Sequence, residues 1–465
     1  MKRHQLLCGL ITLMTLALAS CGGGSSTSSN MNGAGNSAAV FVTGEDAPVS
    51  SVVAFNITID SITLNNGSAT VAALTTPTAV DFGRLVGLRS LLGFNTIPAG
   101  TYTSATFTFA ASNPSPTINY VDLTTTPPSI GSATGVLSSP TVTVPFPAGK
   151  PLVVTSNGLA GLHMDFDLRQ SLAIDGNGNL IISNGQITVT PNLDVMAVAA
   201  SDEEGQITDF GGNVVSVNAS GNSFVIQGPY GFQEVIDVNS STLYNGSNSL
   251  SSLTANAIVA VEGTVQADGS ILAASVELIT SDKAFVSGRI LAVNPGPVVT
   301  MFVGEELGTS ATIPVDSIYT VNLSPVSEYD ICFIDNWFTS ELFNASSLVV
   351  GQRIFVGGTY MSNAFTPDMV SLRRQGVMGT LVANNVNIVS GNQGSFQMQN
   401  DALMSYSAGG PFTVFTVGKT VFVNINGLSG LEAAGATNLV ARGLVFYDPV
   451  SQKPVVWAHR VRVLP

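Results

Sequence analysis

Short runs in which every second residue is apolar, cut at close intervals by Gly, Asn and Pro, constrain this chain more than any other feature. Across 52–64, Val53, Phe55, Ile57 and Ile59 point one way while Ala54, Asn56, Thr58 and Asp60 point the other. That is the pattern of a strand with one buried face. Asn65-Asn66-Gly67 then supplies residues that tolerate positive φ, as a tight turn needs. The alternation returns in 101–109, after the Pro98-Ala99-Gly100 turn, where Tyr102 can pack over a sandwich corner. It returns again in 162–169 and 186–190. Charged residues make up only 10% of the chain and hydrophobic ones 45%, enough apolar surface for several cores joined by polar turns. The expectation is an all-β protein of about three or more domains.

Charge narrows the function. The net charge is −14, or −16 once Lys2 and Arg3 are set aside, and Arg373-Arg374 is the only adjacent basic pair beyond them. A nucleic-acid partner needs a basic stripe against its phosphates, so none is expected. Adhesion to anionic lipid by charge is disfavoured for the same reason. Of three cysteines only Cys332 lies in the body, which leaves no intramolecular disulfide and no cysteine-based metal site. No cofactor is called for.

The first residues read as an address. Lys2 and Arg3 precede an apolar run, 6–19, too short for a permanent span. It ends in Leu18-Ala19-Ser20-Cys21, which resembles the lipobox of bacterial lipoproteins. The resemblance implies cleavage before Cys21 and a lipid on its thiol, and several acyl chains anchor stably where one does not. A Gly, Ser and Asn tether, 21–37, follows, with ends about 20–25 Å apart. Gly22 stands where Gram-negative lipoproteins kept in the inner membrane carry Asp, so the outer membrane is the expected destination. Only two Trp and no aromatic girdles argue against a transmembrane β-barrel.

Two family resemblances organise the body. The segments VSSVVAFNITIDSITL, IPAGTYTSATFTF and MDFDLRQSL resemble the domain of unknown function 4382 family, which implies a lipoprotein β-sandwich and carries no activity. Three later stretches open on Gly205, Gly288 and Gly379, 83 residues (205 to 288) and 91 residues (288 to 379) apart. Each later closes a strand on glycine, in IVAVEG, IFVGG and LVARG, and ends in ILAASVELI, DMVSLRR or VVWAHRVRV. These resemble the domain of unknown function 5666 family, the first most closely. The spacing is too long for a solenoid and suits small barrels. The expected order is a signal peptide, 1–20; tether, 21–37; N-terminal antiparallel β-sandwich, 38–200; and three small β-barrel-like repeats, 204–281, 284–374 and 376–465. Polar runs at 201–204, 281–283 and 373–375 are expected to be the joints.

Few residues suggest chemistry. His163, Asp165, Asp167 and Arg169 share one face of a strand, a comb that could hold a cation or simply pair Asp with Arg. Asp175-Gly-Asn-Gly-Asn resembles the start of a calcium loop, but its twelfth position is Gln186, so a hairpin turn is expected. Acidic pairs Glu203-Glu204 and Glu305-Glu306 fall in expected linkers or turns. No nucleophile elbow, phosphate loop or zinc-protease motif occurs. The stretch 322–344 in the second repeat crowds Tyr329, Phe333, Trp337, Phe338 and Phe343 around Cys332. It is either a loop packed over its barrel or an exposed recognition patch. The expected function is that of a non-enzymatic, lipid-anchored envelope protein that binds, adheres or supports, with an envelope protein or glycan as partner. Rival readings are an envelope glycan hydrolase, whose opposed carboxylates would meet only in space, and an accessory subunit of an export or assembly system.

Overall fold

A computed structural model describes residues 36–465, apart from 48, 50, 113, 123–124, 126–128, 176–178, 229–232, 281–283, 309–312, 333–338, 340, 401–410, 436 and 465. The expected signal peptide, the expected tether up to residue 35 and Cys21 therefore lie outside the described residues. The protein is all-β; the α-helices among the described residues are Leu168–Ser171 and Gly427–Ala434. No described helix is long and apolar enough to cross a membrane.

Two sheets form the N-terminal sandwich. One runs Leu193–Val198, Leu159–Asp167, Ser37–Ala47, Ser90–Pro98; the other is built on the long strand Val52–Asn65. In that strand a register shift between Ile59 and Ser61 changes the phase of the alternation. Ile57, Ile59, Ile62 and Leu64 all therefore reach the core. Phe166 comes from the opposite sheet and contacts the rings of Phe55, Phe82 and Phe109 at 5.3, 4.9 and 5.8 Å. Tyr102 is buried and its hydroxyl donates to the Pro98 carbonyl at 2.8 Å, tying the corner. Pairing is antiparallel except at two junctions. Ser37–Ala47 lies parallel to Leu159–Asp167, and Gln186–Val189 lies parallel to Ser129–Leu137. Strands from opposite ends of the domain have become neighbours there, so no hairpin sets their direction.

Three barrels follow with one topology. The first orders its strands as Gln233–Asp237, Ser223–Gln227, Ile207–Asn218, Ile258–Val265 and Ile271–Thr280, with the third strand returning to the fifth. The third closes in the same order: Gln375–Ser390, Gln393–Asn400, Phe412–Val423, Lys453–Val463, Asn438–Asp448. The second orders Ile318–Asn322, Val298–Leu307, Ala284–Asn294, Arg353–Met361 and Ala364–Leu372 in the same way, but among the described residues it is Glu328–Ile331, not its third strand, that lies parallel to the fifth. A short helical turn or helix separates the third and fourth strands in every unit, and in the last one Leu428 and Leu431 plug the barrel. Strand order 1-2-3-5-4-1 with that insertion is the five-stranded Greek-key barrel known as the OB-fold.

Glycines turn the barrel corners. A Cβ on Gly288 would collide with the Phe302 carbonyl, and one on Gly443 with the Trp457 carbonyl. Gly263, Gly358 and Gly379 face opposing carbonyls in the same way. Ladder shifts fall beside Gly263, Gly288, Gly358 and Gly443. Gly205 does not belong to this set. It sits in a 3-10 turn against the Ala199 carbonyl, and the first barrel instead uses Gly212, seven residues later, opposite Gln227.

The four units pack as one body. Phe41, Leu91 and Val198 of the sandwich join the first barrel's core, while Leu444, Phe446 and Val455 of the third barrel complete the second's. Smaller apolar contacts join the first barrel to the second and the second to the sandwich.

Candidate functional site

The His163 comb points into an interface. Its strand carries His163 and Asp165 to the C-terminal strand Lys453–Val463, where Arg462 Nη1 lies 2.5 Å from Asp165 Oδ2. Beside it, Arg460 reaches both Glu45 carboxylate oxygens at 3.2 and 3.3 Å, and Glu204 at 2.6 Å. Arg89 pairs with Glu203 at 3.2 Å. Thr43 donates its hydroxyl proton to the Glu204 carbonyl at 3.1 Å, so its oxygen must accept from His163 Nδ1 at 3.0 Å. Nδ1 therefore carries the imidazole proton. Asp167 turns away and caps the short helix by accepting from the Gln170 amide.

These partners correct the cation-site expectation. A guanidinium occupies the place a metal would take beside Asp165, and among the described residues no His, Cys, Asp and Glu group is arranged to hold a metal. Burial pushes His163 down to about 3, so it is neutral at ordinary pH. Burial alone would raise Glu45, but Arg460, with Arg89, His163 and Arg462 behind it, holds that carboxyl at about 2. Burial outweighs Arg462 at Asp165, which stands at about 6.

Arg373, Arg374 and Gln375 of the last expected joint are buried, as is Glu305 of the second acidic pair, whereas Ser201 and Asp202 of the first joint are exposed. Arg373 pairs with Glu277 and Arg374 with Glu262, both across the boundary between the first two barrels. Gln375 is buried and donates to the Gly351 carbonyl at 2.9 Å. Glu305 takes Arg84 from the sandwich and Arg353 from its own barrel. Positions 281–283 lie outside the described residues. Asp175 accepts from the Asn179 amide at 2.8 Å, and positions 176–178 between them lie outside the described residues.

The aromatic stretch divides. Tyr329, in the strand Glu328–Ile331, packs with Phe343 in the second barrel's core, ring centroids 5.8 Å apart and edge-on. The recognition patch is corrected for these two. Phe333, Trp337 and Phe338 lie outside the described residues. Cys332 is buried with Sγ 3.2 Å from Glu277 Oε2.

Two open cavities stand out among the described residues, neither flagged by any sequence motif. One, of about 440 Å³, lies between the first and second barrels and bears Glu277, Glu328, Asp330 and Asp368. The larger, about 660 Å³, is a groove between the sandwich and the first barrel. Its sandwich wall is Thr76-Pro77-Thr78-Ala79 and Leu91-Leu92-Gly93-Phe94. The barrel contributes Gln233-Glu234-Val235, the start of the third strand, and Asp268-Gly269-Ser270, the loop between the fourth and fifth. That combination is the side on which OB-folds take ligands. Gly269 has φ +92 and lies against Phe94, where a Cβ would come within 3.2 Å of the ring. Ser270 Oγ lies 2.8 Å from Asp268 Oδ1 and 2.6 Å from Asp237 Oδ2.

Among the described residues, no Lys, Arg or His lines the groove. Glu234 therefore faces burial without a cation opposite it, and its carboxyl is pushed up to about 7. Sequence patterning could not flag it, because Gln233–Asp237 reads as an ordinary short strand and 266–270 as an ordinary hairpin turn.

Comparison with known families gives two matches. Residues 37–184 match the family described as domain of unknown function DUF4382. Residues 211–277 match domain of unknown function DUF5666. The DUF4382 match covers most of the sandwich, and the DUF5666 match begins one residue before the corner glycine Gly212 and ends in the fifth strand of the first barrel. No curated protein matches the chain.

Proposed function

We propose that this chain is a non-enzymatic, lipid-anchored protein of the bacterial cell envelope that works as a binding module. Cys21 is the lipid site and the outer membrane the destination, a reading supported by the lipobox-like sequence, the Gly/Ser/Asn tether and Gly22. The second and third barrels are read as diverged copies of the first, supported by their shared strand order and corner glycines. One observation carries the binding role: the 660 Å³ groove on the ligand side of the first barrel, within the usual size of a ligand site. Its lining mixes apolar Leu91, Phe94 and Val235 with polar Thr78, Gln233 and Glu234.

The test is co-sedimentation of the full chain, in mild detergent, with envelope fragments from the same bacterium. Wild-type protein should pellet, and Ala79→Trp, a bulky side chain at an exposed position of the groove's sandwich wall, should stay in solution. Equal pelleting of both would sink the groove as the binding site. The hydrolase reading keeps one supporting feature, the four carboxylates of the 440 Å³ cleft. Release of reducing ends from purified envelope glycan, abolished by Glu328→Gln, would favour it instead.

A further inference from the structure

We infer that the groove takes an extended, basic peptide segment, which adds as a strand to the open edge of the first barrel's third strand. The inference rests on the binding role proposed above and names its occupant. In the third barrel the third and fifth strands are paired over Thr413, Val414, Phe415 and Thr416 and again over Val421, Phe422 and Val423. In the first barrel the corresponding pairing joins Ile236 to Ile271 and Asp237 to Leu272 and resumes with Leu243 on Ser275 and Tyr244 on Val276, but it does not reach residues 233–235. Gln233, Glu234 and Val235 are thus left with a strand neighbour on one side alone among the described residues. The gap opens into the groove, where the loop Asp268-Gly269-Ser270 stands in place of further strand.

A bare strand edge beside a cavity is a template for strand addition, in which main-chain hydrogen bonds supply affinity and alternate side chains supply specificity. Charge selects the occupant. The titratable groups facing the groove are Glu234 from the strand and Asp268 from the loop, while the sandwich wall, 76–79 and 91–94, contributes none. Anionic chains are repelled by such a lining. A Lys or Arg side chain would meet an acid that burial has deprived of solvent and that has no protein cation opposite it. Val235, Leu91 and Phe94 offer the apolar surface for the alternate residues of the peptide.

The experiment titrates the full chain in detergent with the capped hexapeptide Lys-Val-Lys-Val-Lys-Val, its backbone N-methylated analogue, and chitohexaose as a neutral sugar. The plain hexapeptide should bind and the N-methylated one should not. With Glu234 at about 7, about one-tenth of it is charged at pH 6 and about nine-tenths at pH 8, so affinity should rise roughly ninefold across that range. Glu234→Gln should flatten this rise. Equal binding of the N-methylated peptide would overturn strand addition. Binding of chitohexaose with no peptide binding would overturn the occupant while leaving the groove a site. If neither probe binds and Ala79→Trp still pellets with envelope fragments, the binding role itself fails.

Discussion

Replacing Arg460 with Met should be among the most damaging changes available at a single position. Arg460 is buried and its guanidinium serves two carboxylates, Glu45 of the sandwich and Glu204 of the following turn. Methionine keeps much of the volume and removes the charge, so the dominant loss is electrostatic. Removing one member of a buried ion pair costs about 3–5 kcal/mol, because the other is left charged and dry. The Glu45 titration gives an independent scale. A fall from the ordinary 4.5 to about 2, at about 1.36 kcal/mol per unit, makes its ionised form worth on the order of 3 kcal/mol to the fold. Because the folded value is depressed, that stability is present above about pH 4.5 and is lost as pH falls towards 2. The assay is guanidinium unfolding followed by far-UV circular dichroism and by tryptophan fluorescence. Trp457 sits in the same strand as Arg460, stacked on Phe415 at 4.9 Å, and reports locally. The variant should lose about 3–5 kcal/mol at pH 7. The double variant Glu45→Gln with Arg460→Met should recover at least about 1–2 kcal/mol of the sum of the single losses, since the stranded charge is gone. A single variant within about 1 kcal/mol of wild type, or strict additivity, would refute a coupled buried pair.

Other outcomes follow from the same geometry. Cys21→Ala should abolish acyl labelling and move the protein from membrane to soluble fractions; unchanged membrane retention, with no label on the wild type, would refute the anchor. Phe343→Ala should cost about 3–5 kcal/mol by emptying the second barrel's core, read as a lowered denaturation midpoint, whereas an unaltered midpoint would return Phe343 to an exposed patch. Gly443→Ala should destabilise by about 1–3 kcal/mol through the Trp457 carbonyl it would strike, while Gly149→Ala, with nothing near its Cβ, should lose little beyond the strain of its positive φ. Limited proteolysis should spare 373–375, which are buried, and cutting there first would contradict the ion-paired joint.

Alternation and turn chemistry carried the all-β architecture, because whether a strand is half-buried is decided by its own neighbours in sequence. The strand across 52–64, the corner at Tyr102 and the glycines at 263, 288, 358, 379 and 443 could all be read without a partner in view. The exception is instructive: Gly205 precedes an alternating strand just as Gly288 does, yet only Gly212 meets a carbonyl across the ladder. Partnership itself was not readable. Asp165 finds Arg462 at a separation of 297 residues, and Ser37–Ala47 lies parallel to a strand more than 110 residues later. Nothing local distinguishes a polar run that joins domains from one whose charges are buried between them, so 201–204 and 373–375 read alike as joints although only the second is buried. The groove is decided later still. Its walls come from four separate segments, and its character depends on a strand edge that pairing with the fifth strand does not reach. Side-chain period is a property of one strand, whereas an open edge, a buried charge and a cavity are properties of what packs against it.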